Sequence, residues 1–169
     1  MSNLNVFNPY TDELISSEVM LSKKEALSKL SEAYDIHKKN TNGISKKNRI
    51  EILENFYQLL QKNSQEIIEL SVSEGGKPIQ DSQIEMQRAL EGVKLGIQSI
   101  RNLNGEMIPM SLNSASSNKL AFTTKSPIGV VFSISAFNHP INLTIHQIIP
   151  CIINNLPFLY FLFFASRNP

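Results

Sequence analysis

The chain has 169 residues, of which 41% are hydrophobic and 18% charged, and its formal net charge is +1. This composition is ordinary for a globular domain with a core, and the charge balance gives no reason to expect a nucleic-acid ligand. A single cysteine, Cys151, excludes an internal disulfide framework, and the first residues lack the features of a secretory signal, so a cytoplasmic protein is expected.

The first 39 residues predict a hairpin followed by a helix. Apolar residues on both sides of the sequence NPYT at 8–11 indicate two strands joined by a tight turn within residues 3–15. Ser22 and Glu25 have the spacing of a capping box. Apolar side chains then recur every three or four residues, at Ala26, Leu27, Leu30, Ala33 and Tyr34. An amphipathic helix ending near Lys39 is therefore expected.

Two further helices are expected between residues 45 and 76. Ser45 is placed to cap the first of them, and its apolar face would consist of Ile50, Leu53, Phe56, Tyr57 and Leu60. The second, over residues 65–73, should stop at Gly75 and Gly76, because glycine readily supplies the left-handed residue after a helix. A phosphate-binding loop at these glycines is disfavoured, since no buried strand precedes them.

A long fourth helix is expected to begin at Pro78. Its apolar stripe is predicted to be Ile84, Val93, Ile97 and Ile100. Glu85 and Arg88 lie one turn apart and are interpreted as an exposed ion pair on the surface of this helix. Two strands, Leu103–Met110 and Lys119–Thr124, should follow, separated by a loop rich in serine and asparagine.

The stretch from residue 126 to residue 150 is the most informative part of the chain. Ile128–Ile134 is an uncharged, β-branched run that predicts a strand buried on both faces of a largely parallel sheet. A turn at 137–139 follows, and Pro140 suits the first turn of a helix over 141–149. The start of such a helix favours negative charge, so a ligand is expected at this turn.

These residues resemble the NAD(P)-dependent aldehyde dehydrogenases. The resemblance rests on Pro127 and the GVV at 129–131, the Phe137–Asn138 pair, the prolines at 140 and 150, and the sequence EGGKP at 74–78. It covers nearly all of the chain, from Val6 to about Leu159, but only the first third of a whole family member. The residues of the motifs EGGKP at 74–78 and SISAFNHP at 133–140 most resemble the branches of this family that act on lactaldehyde, phosphonoacetaldehyde or glyceraldehyde 3-phosphate.

The resemblance implies an incomplete α/β fold with an N-terminal helical segment, the start of a Rossmann-like parallel sheet and part of an oligomerisation arm. It divides the chain into a hairpin with helices at 1–102, arm-type strands at 103–125, and the first strand, turn and helix of the Rossmann-like unit at 126–159. Residues 160–169 form an apolar tail that departs from the family pattern. The arm strands imply a homo-oligomer.

The resemblance also assigns the site residues. Asn138 takes the catalytic position of the family's asparagine, whose amide donates to the oxyanion formed when a cysteine thiolate attacks a small-molecule aldehyde. Ile134, Ser135, Ala136 and Phe137 take the positions that line NAD or NADP.

Several family groups have no counterpart in this chain. Cys151 aligns with an alanine and is interpreted as a small buried hydrophobe, not the nucleophile. Alignment places Asn155 at a family glycine and Phe161 at the lysine that binds the cofactor. No metal site is expected, because His139 and His146 offer only two imidazoles.

Three functions follow from these observations. The first is the N-terminal part of an aldehyde dehydrogenase, silent by itself because the nucleophile is missing. The second is a truncated or frameshifted remnant that misfolds or pairs with a full-length homologue. The third is a tail-anchored protein using Ile141–Ala165, within the span 126–166 that holds no charged residue; Pro150 and Pro157 disfavour it.

Overall fold

The computed structural model describes residues 3–39 and 43–162, the last two by their backbone only, as a mixed α/β structure. Its helical part packs around one long helix, and its strands form three separate pairs. The elements are β1 (Asn3–Phe7), β2 (Leu14–Val19), α1 (Lys23–Lys39), α2 (Lys46–Lys62), α3 (Ser64–Gly75), α4 (Ile79–Arg101), β3 (Met107–Ile108), β4 (Ala121–Phe122), β5 (Val131–Ser135), α5 (Pro140–Ile153) and β6 (Phe158–Leu162).

The N-terminal hairpin is confirmed, with β1 and β2 antiparallel. Its turn is held by the Asn8 side chain, whose Oδ1 accepts from the backbone N–H groups of Tyr10 at 2.9 Å and Thr11 at 3.2 Å. Asparagine favours turns because it can make such local bonds. The Tyr10 hydroxyl in turn donates to the carbonyl of Gly76 at 3.3 Å, which ties the hairpin to the end of α3.

The first helix has the predicted cap but not the predicted packing. Ser22 N donates to Glu25 Oε2 at 2.8 Å, and Glu25 N donates back to Ser22 Oγ at 3.3 Å, which completes the capping box. Of the apolar stripe only Ala33 is buried, whereas Leu27, Leu30 and Tyr34 remain 42–55% exposed. The described residues therefore leave most of this helix's apolar face uncovered.

The core lies between α2, α3, α4 and α5, with α4 at its centre. Ser45 caps α2 as predicted, since its Oγ accepts from Asn48 N at 3.1 Å. Gly76 ends α3 in the left-handed conformation, with φ +64°, and α4 begins after Pro78. The core side chains are Leu53, Leu60, Ile68, Met86, Ala89, Val93, Ile100, Ile141, Ile145 and Ile149.

The buried stripe of α4 differs from the prediction. Ile84 is 47% exposed, and the buried positions are Ser82, Glu85, Met86, Ala89, Val93, Gly96 and Ile100. Val93 and Ile100 of the predicted stripe are buried and Ile97 is partly buried against the core, so only Ile84 is wrong. The prediction missed Ser82, Glu85 and Gly96 because a search for apolar residues passes over polar residues and glycine. Gly96 gives α5 room to approach, since a Cβ at this position would lie 2.3 Å from Ile149 Cγ2.

The predicted pair of strands after α4 exists but is short. The antiparallel strands β3 and β4 have two residues each, and a 3₁₀ turn at Ser114–Ser116 lies between them. Met107 and Phe122 on this pair are 71% and 65% exposed, and Leu120 just before β4 is 72% exposed. Apolar residues therefore face outward on a small edge.

Strands β5 and β6 are parallel, with Val131 opposite Phe158 and Ser135 opposite Leu162. The prediction of a strand from Ile128, buried on both faces, is wrong. Ile128 is 90% exposed before the strand begins, and Phe132 and Ile134 are 58% and 49% exposed. Helix α5 covers only the opposite face, where Ser133 and Ser135 are buried. The strand β6 runs through Leu162, so its last residues, assigned above to the tail, pair in the sheet.

The predicted span Ile141–Ala165 is divided between the helix α5, a turn and the strand β6 as far as Leu162. No helix in the described ranges has the length and apolar character needed to cross a bilayer.

Candidate oxyanion turn

The turn after β5 presents the Asn138 side chain outward. Asn138 is exposed and makes no hydrogen bond within the described part of the chain. Of the predicted cofactor-lining residues, Ile134, Ala136 and Phe137 are also exposed, and Phe137 is 56% accessible. Ser135 is only 1% exposed, with its hydroxyl donating to the Ala136 carbonyl at 3.3 Å. Four of the five predicted residues are thus individually accessible at or just after the carboxyl end of β5, whereas Ser135 is buried.

Glu85 is the principal residue that the sequence did not assign to this site. It was interpreted as a surface residue paired with Arg88, and this is wrong, because Glu85 is 2% exposed. Its Oε1 accepts from the backbone N–H of Asn142 at 2.9 Å, and its Oε2 accepts from Lys77 Nζ. The available signal was its register, since position 85 falls among the buried positions 82, 89, 93, 96 and 100 of α4.

The negative charge predicted at the start of α5 is therefore supplied by the protein itself. A helix N-terminus attracts anions through its unpaired N–H groups and the helix dipole. The Glu85 carboxylate takes this place, and Lys77 balances its charge. One backbone donor of the first turn, Asn142 N, is therefore already bound within the protein. What the turn leaves accessible is the neutral amide of Asn138.

The other end of α5 is held by a buried arginine. Arg49 on α2 is 7% exposed, and its Nη1 donates to the carbonyl of Ile153, the last residue of α5. Burial lowers the pKa of the Arg49 guanidinium from its ordinary value, but an arginine remains charged in proteins. A cation suits the negative end of a helix. Helix α5 thus has a buried carboxylate at its start and a buried guanidinium at its end.

The turn between α5 and β6 explains one departure from the family. Asn155, aligned above with a glycine, has φ +56°. Asparagine tolerates this left-handed conformation better than most residues. Its Oδ1 accepts from Ile44 N at 2.9 Å, and a Cβ on Gly43 would lie 1.5 Å from its Nδ2. Asn155 therefore joins this turn to the segment that leads into α2.

An apolar groove of about 370 Å³ lies beside the turn. Its lining includes Phe137 and Pro140 from the turn and the start of α5, Phe56 from α2, and Ile67 and Glu74 from α3. Burial, and to a lesser degree the charge of Glu18, raises the pKa of Glu74. The groove includes Phe137, the residue before Asn138 in the chain.

Cys151 is buried, as the sequence predicts. It is 3% exposed, its Sγ donates to the Gln147 carbonyl at 3.2 Å, and burial raises the pKa of the thiol. A raised pKa leaves less thiolate at any given pH, and the thiolate is the nucleophilic form. This cysteine is therefore unsuited to attack an aldehyde.

We expect the Cys151 thiol of the native chain to react slowly with a chromogenic disulfide reagent, even at pH 9, where an ordinary free cysteine with a pKa of about 8.5 is mostly thiolate. The measurement is the absorbance of the released thiolate, with the chain unfolded in guanidinium chloride as the rapid control. Equal rates in the native and unfolded chains would show that the thiol is accessible.

Taken together, a parallel strand, an exposed amide and a helix held at both ends define a Rossmann-like α/β unit with a neutral hydrogen-bond donor at the carboxyl end of its sheet. A family model described as the aldehyde dehydrogenase family matches residues 1–156. The chain belongs to the aldehyde dehydrogenase family.

Relatives and solved structures agree with this membership. The chain is 32% identical over 149 residues to 3-sulfolactaldehyde dehydrogenase of Priestia aryabhattai, covering 88% of this chain and 31% of the relative. It is 34% identical over 150 residues to lactaldehyde dehydrogenase of Methanococcus maripaludis, with 89% and 31% covered.

The crystal structure of glyceraldehyde-3-phosphate dehydrogenase from Methanocaldococcus jannaschii, complexed with NADP, matches with a TM-score of 0.84 and 29% identity, over 93% of this chain and 33% of that one. The chain thus spans about a third of the length of the proteins it matches.

Proposed function

We propose that this chain supplies the N-terminal third of an aldehyde dehydrogenase subunit and that Asn138 is its catalytic residue. In the reaction, a cysteine thiolate attacks the aldehyde carbonyl, and the oxygen becomes an oxyanion that Asn138 Nδ2 stabilises by donating a hydrogen bond. The thiolate comes from outside these 169 residues, because Cys151 is buried and its pKa is raised. The chain alone is therefore catalytically silent.

The observation that carries this proposal is the state of the Asn138 amide. The side chain is exposed at the carboxyl end of β5 and makes no bond within the described residues, while the helix that follows is held at both ends. A donor fixed in place before the reaction stabilises a developing charge without further reorganisation. An asparagine is also neutral, so it does not perturb the charge of a neighbouring thiolate.

NAD or NADP fits this turn only in part. Ile134, Ala136 and Phe137 are exposed and offer an apolar wall to a planar ring. The phosphates of the dinucleotide need cationic groups or N–H donors. At the start of α5, however, the Asn142 N–H already donates to Glu85, and Lys77 is paired with Glu85. When bound, the dinucleotide accepts the hydride. We assign its phosphate-binding groups to the two thirds of a family subunit that this chain does not match.

Short 2-hydroxyaldehydes are the proposed substrate class. Lactaldehyde, 3-sulfolactaldehyde and glyceraldehyde 3-phosphate, named for the relatives above, are all three-carbon aldehydes with a hydroxyl beside the carbonyl. We further propose a cytoplasmic homo-oligomer that buries the exposed apolar residues of β3 and β4 between subunits, since uncovered edges favour association.

The test is a chimera in which residues 1–156 of this chain replace the matching third of Methanococcus maripaludis lactaldehyde dehydrogenase. We expect it to reduce NAD or NADP with lactaldehyde. Asn138→Ala should lower its kcat on the order of a hundredfold, the usual effect of removing one oxyanion donor. The measurement is the absorbance of the reduced cofactor, with Asn55→Ala, an exposed asparagine on α2, as the matched control.

Two results would contradict the proposal. Full activity of the Asn138→Ala chimera would remove Asn138 from the catalytic role. Aldehyde-dependent reduction of NAD by the unfused 169-residue chain would show that a nucleophile lies within it.

A non-catalytic chain that pairs with a full-length homologue is the second candidate. The exposed apolar side chains of α1 and of the β3–β4 pair favour it, because such surfaces usually mark contacts. Co-expression with a full-length family member should then raise the soluble yield of the chain. A well-dispersed monomer when it is expressed alone argues against this candidate.

A further inference from the structure

We infer that Glu85 is a positioning residue for Asn138. Its carboxylate, held by Lys77, replaces the N-cap that α5 lacks and so fixes the turn from which the Asn138 amide projects. The inference rests on the function proposed above, in which Asn138 donates to the oxyanion.

Helix α5 has no cap of its own. His139 occupies the N-cap position, but its side chain makes no capping hydrogen bond, and Pro140 at the first helical position has no N–H. The next backbone donors must therefore find acceptors elsewhere. Asn142 N donates to Glu85 Oε1 at 2.9 Å, and the two residues are 57 positions apart in the sequence. The helix start is thus capped by another helix, α4.

The carboxylate also touches the residue next to the donor. His139 directly follows Asn138, and its Nδ1 lies 3.6 Å from Glu85 Oε2, the oxygen that accepts from Lys77. One oxygen therefore faces the first turn of α5 and the other faces the end of the turn. Displacing the carboxylate would release the Asn142 N–H at the start of α5, and a shift of about 1 Å at a reacting centre can reduce the rate a hundredfold.

The site requires a carboxylate rather than a group of the same shape. Lys77 and Asn142 N are both donors and need two separate acceptor oxygens, which glutamate has. Glutamine has one acceptor oxygen, and its amide N–H₂ would face either the ammonium group or the backbone N–H. Since Glu85 is 2% exposed, water cannot readily take the place of the missing acceptor. Glu85→Gln is accordingly a nearly isosteric test.

The first measurement uses the 169-residue chain and amide hydrogen exchange by NMR. In Glu85→Gln, the amides of residues 141–143 should exchange about tenfold faster, because the start of α5 loses one hydrogen bond to a charged group. The exchange of amides at 97–100 of α4 should be unchanged. Glu91→Gln, an exposed glutamate on α4, is the matched control. Unchanged exchange at 141–143 would overturn the inference.

A second variant distinguishes the loss of this one hydrogen bond from unfolding of the whole chain. Glu85→Asp keeps the charge for Lys77 but is one methylene shorter, so it should fold and still release the amide of Asn142 to faster exchange. Protection equal to that of the native chain would again overturn the inference.

The second measurement is a double-mutant cycle in the chimera. Glu85→Gln should lower kcat about tenfold when Asn138 is present and less than twofold in the Asn138→Ala background, because a positioning residue acts through the donor it places. Equal losses in both backgrounds would overturn the positioning role and leave the proposed function standing. No loss from Asn138→Ala itself would instead overturn the proposed function.

Discussion

Replacing Lys77 by methionine should lower the free energy of unfolding by about 3–5 kcal/mol, the usual effect of removing one partner from a buried ion pair. Lys77 and Glu85 have side-chain exposures of 14% and 2%. Methionine fills much of the space of lysine but leaves the carboxylate buried without a countercharge. The measurement is urea unfolding followed by circular dichroism at pH 7.

Two comparisons isolate the effect of burial. Lys47→Met breaks an exposed ion pair with Glu51, at 3.6 Å, and should change stability by less than about 1 kcal/mol. Adding Glu85→Leu to Lys77→Met should recover part of the loss, since buried ion pairs are often replaced by apolar residues without a net penalty. The recovery should be incomplete because Asn142 N then lacks its acceptor. A loss from Lys77→Met no larger than that from Lys47→Met would contradict the buried pair.

Replacing Arg49 by methionine should lower the free energy of unfolding by about 1.5–3 kcal/mol, the range for a hydrogen bond to a charged group. The variant leaves the Ile153 carbonyl at the end of α5 without its donor and removes the cation from the negative end of the helix. The measurement is again urea unfolding. Backbone amides at the end of α5 and in β6 should lose protection from hydrogen exchange, whereas those at the start of α5 should not.

The matched control for this prediction is Arg88→Met, an exposed arginine on α4. The difference between the two variants should be the same at pH 5 and pH 9, because a guanidinium stays charged in the folded and unfolded chains over this range. Equal stabilities of the Arg49 and Arg88 variants would remove Arg49 from its assigned role.

Features encoded by nearby residues were predictable from the sequence. The capping box of Ser22 and Glu25, the cap at Ser45, the left-handed Gly76 and the start of α5 at Pro140 are all found in the structure. Each depends on atoms within about four positions of the chain, so their types and spacing suffice. The family was predictable for a similar reason, since its motifs are short and contiguous.

The charged residues around α5 were not predictable in this way. Glu85 and Arg88 have the spacing of an ordinary surface pair, and only the register of position 85 with Ala89 and Val93 distinguishes the buried residue from the exposed one. Besides Lys77, Glu85 binds Asn142, which lies 57 positions away, and the partner of Arg49 lies 104 positions away at Ile153. The burial of the strand β5 was misjudged for a related reason, because apolar composition does not show which face a helix will cover.

The sequence by itself determined the order of helices and strands as far as α5, the local caps at Ser22, Ser45 and Gly76, and the family, because these depend on backbone preferences and short motifs. The tertiary structure alone decided that α5 is capped by Glu85 and Arg49, and that Asn138 faces outward while Ser135 faces inward. The physical reason is desolvation. A charge removed from water must find a partner, and only the packing of distant helices decides which charges are removed and which partners they meet.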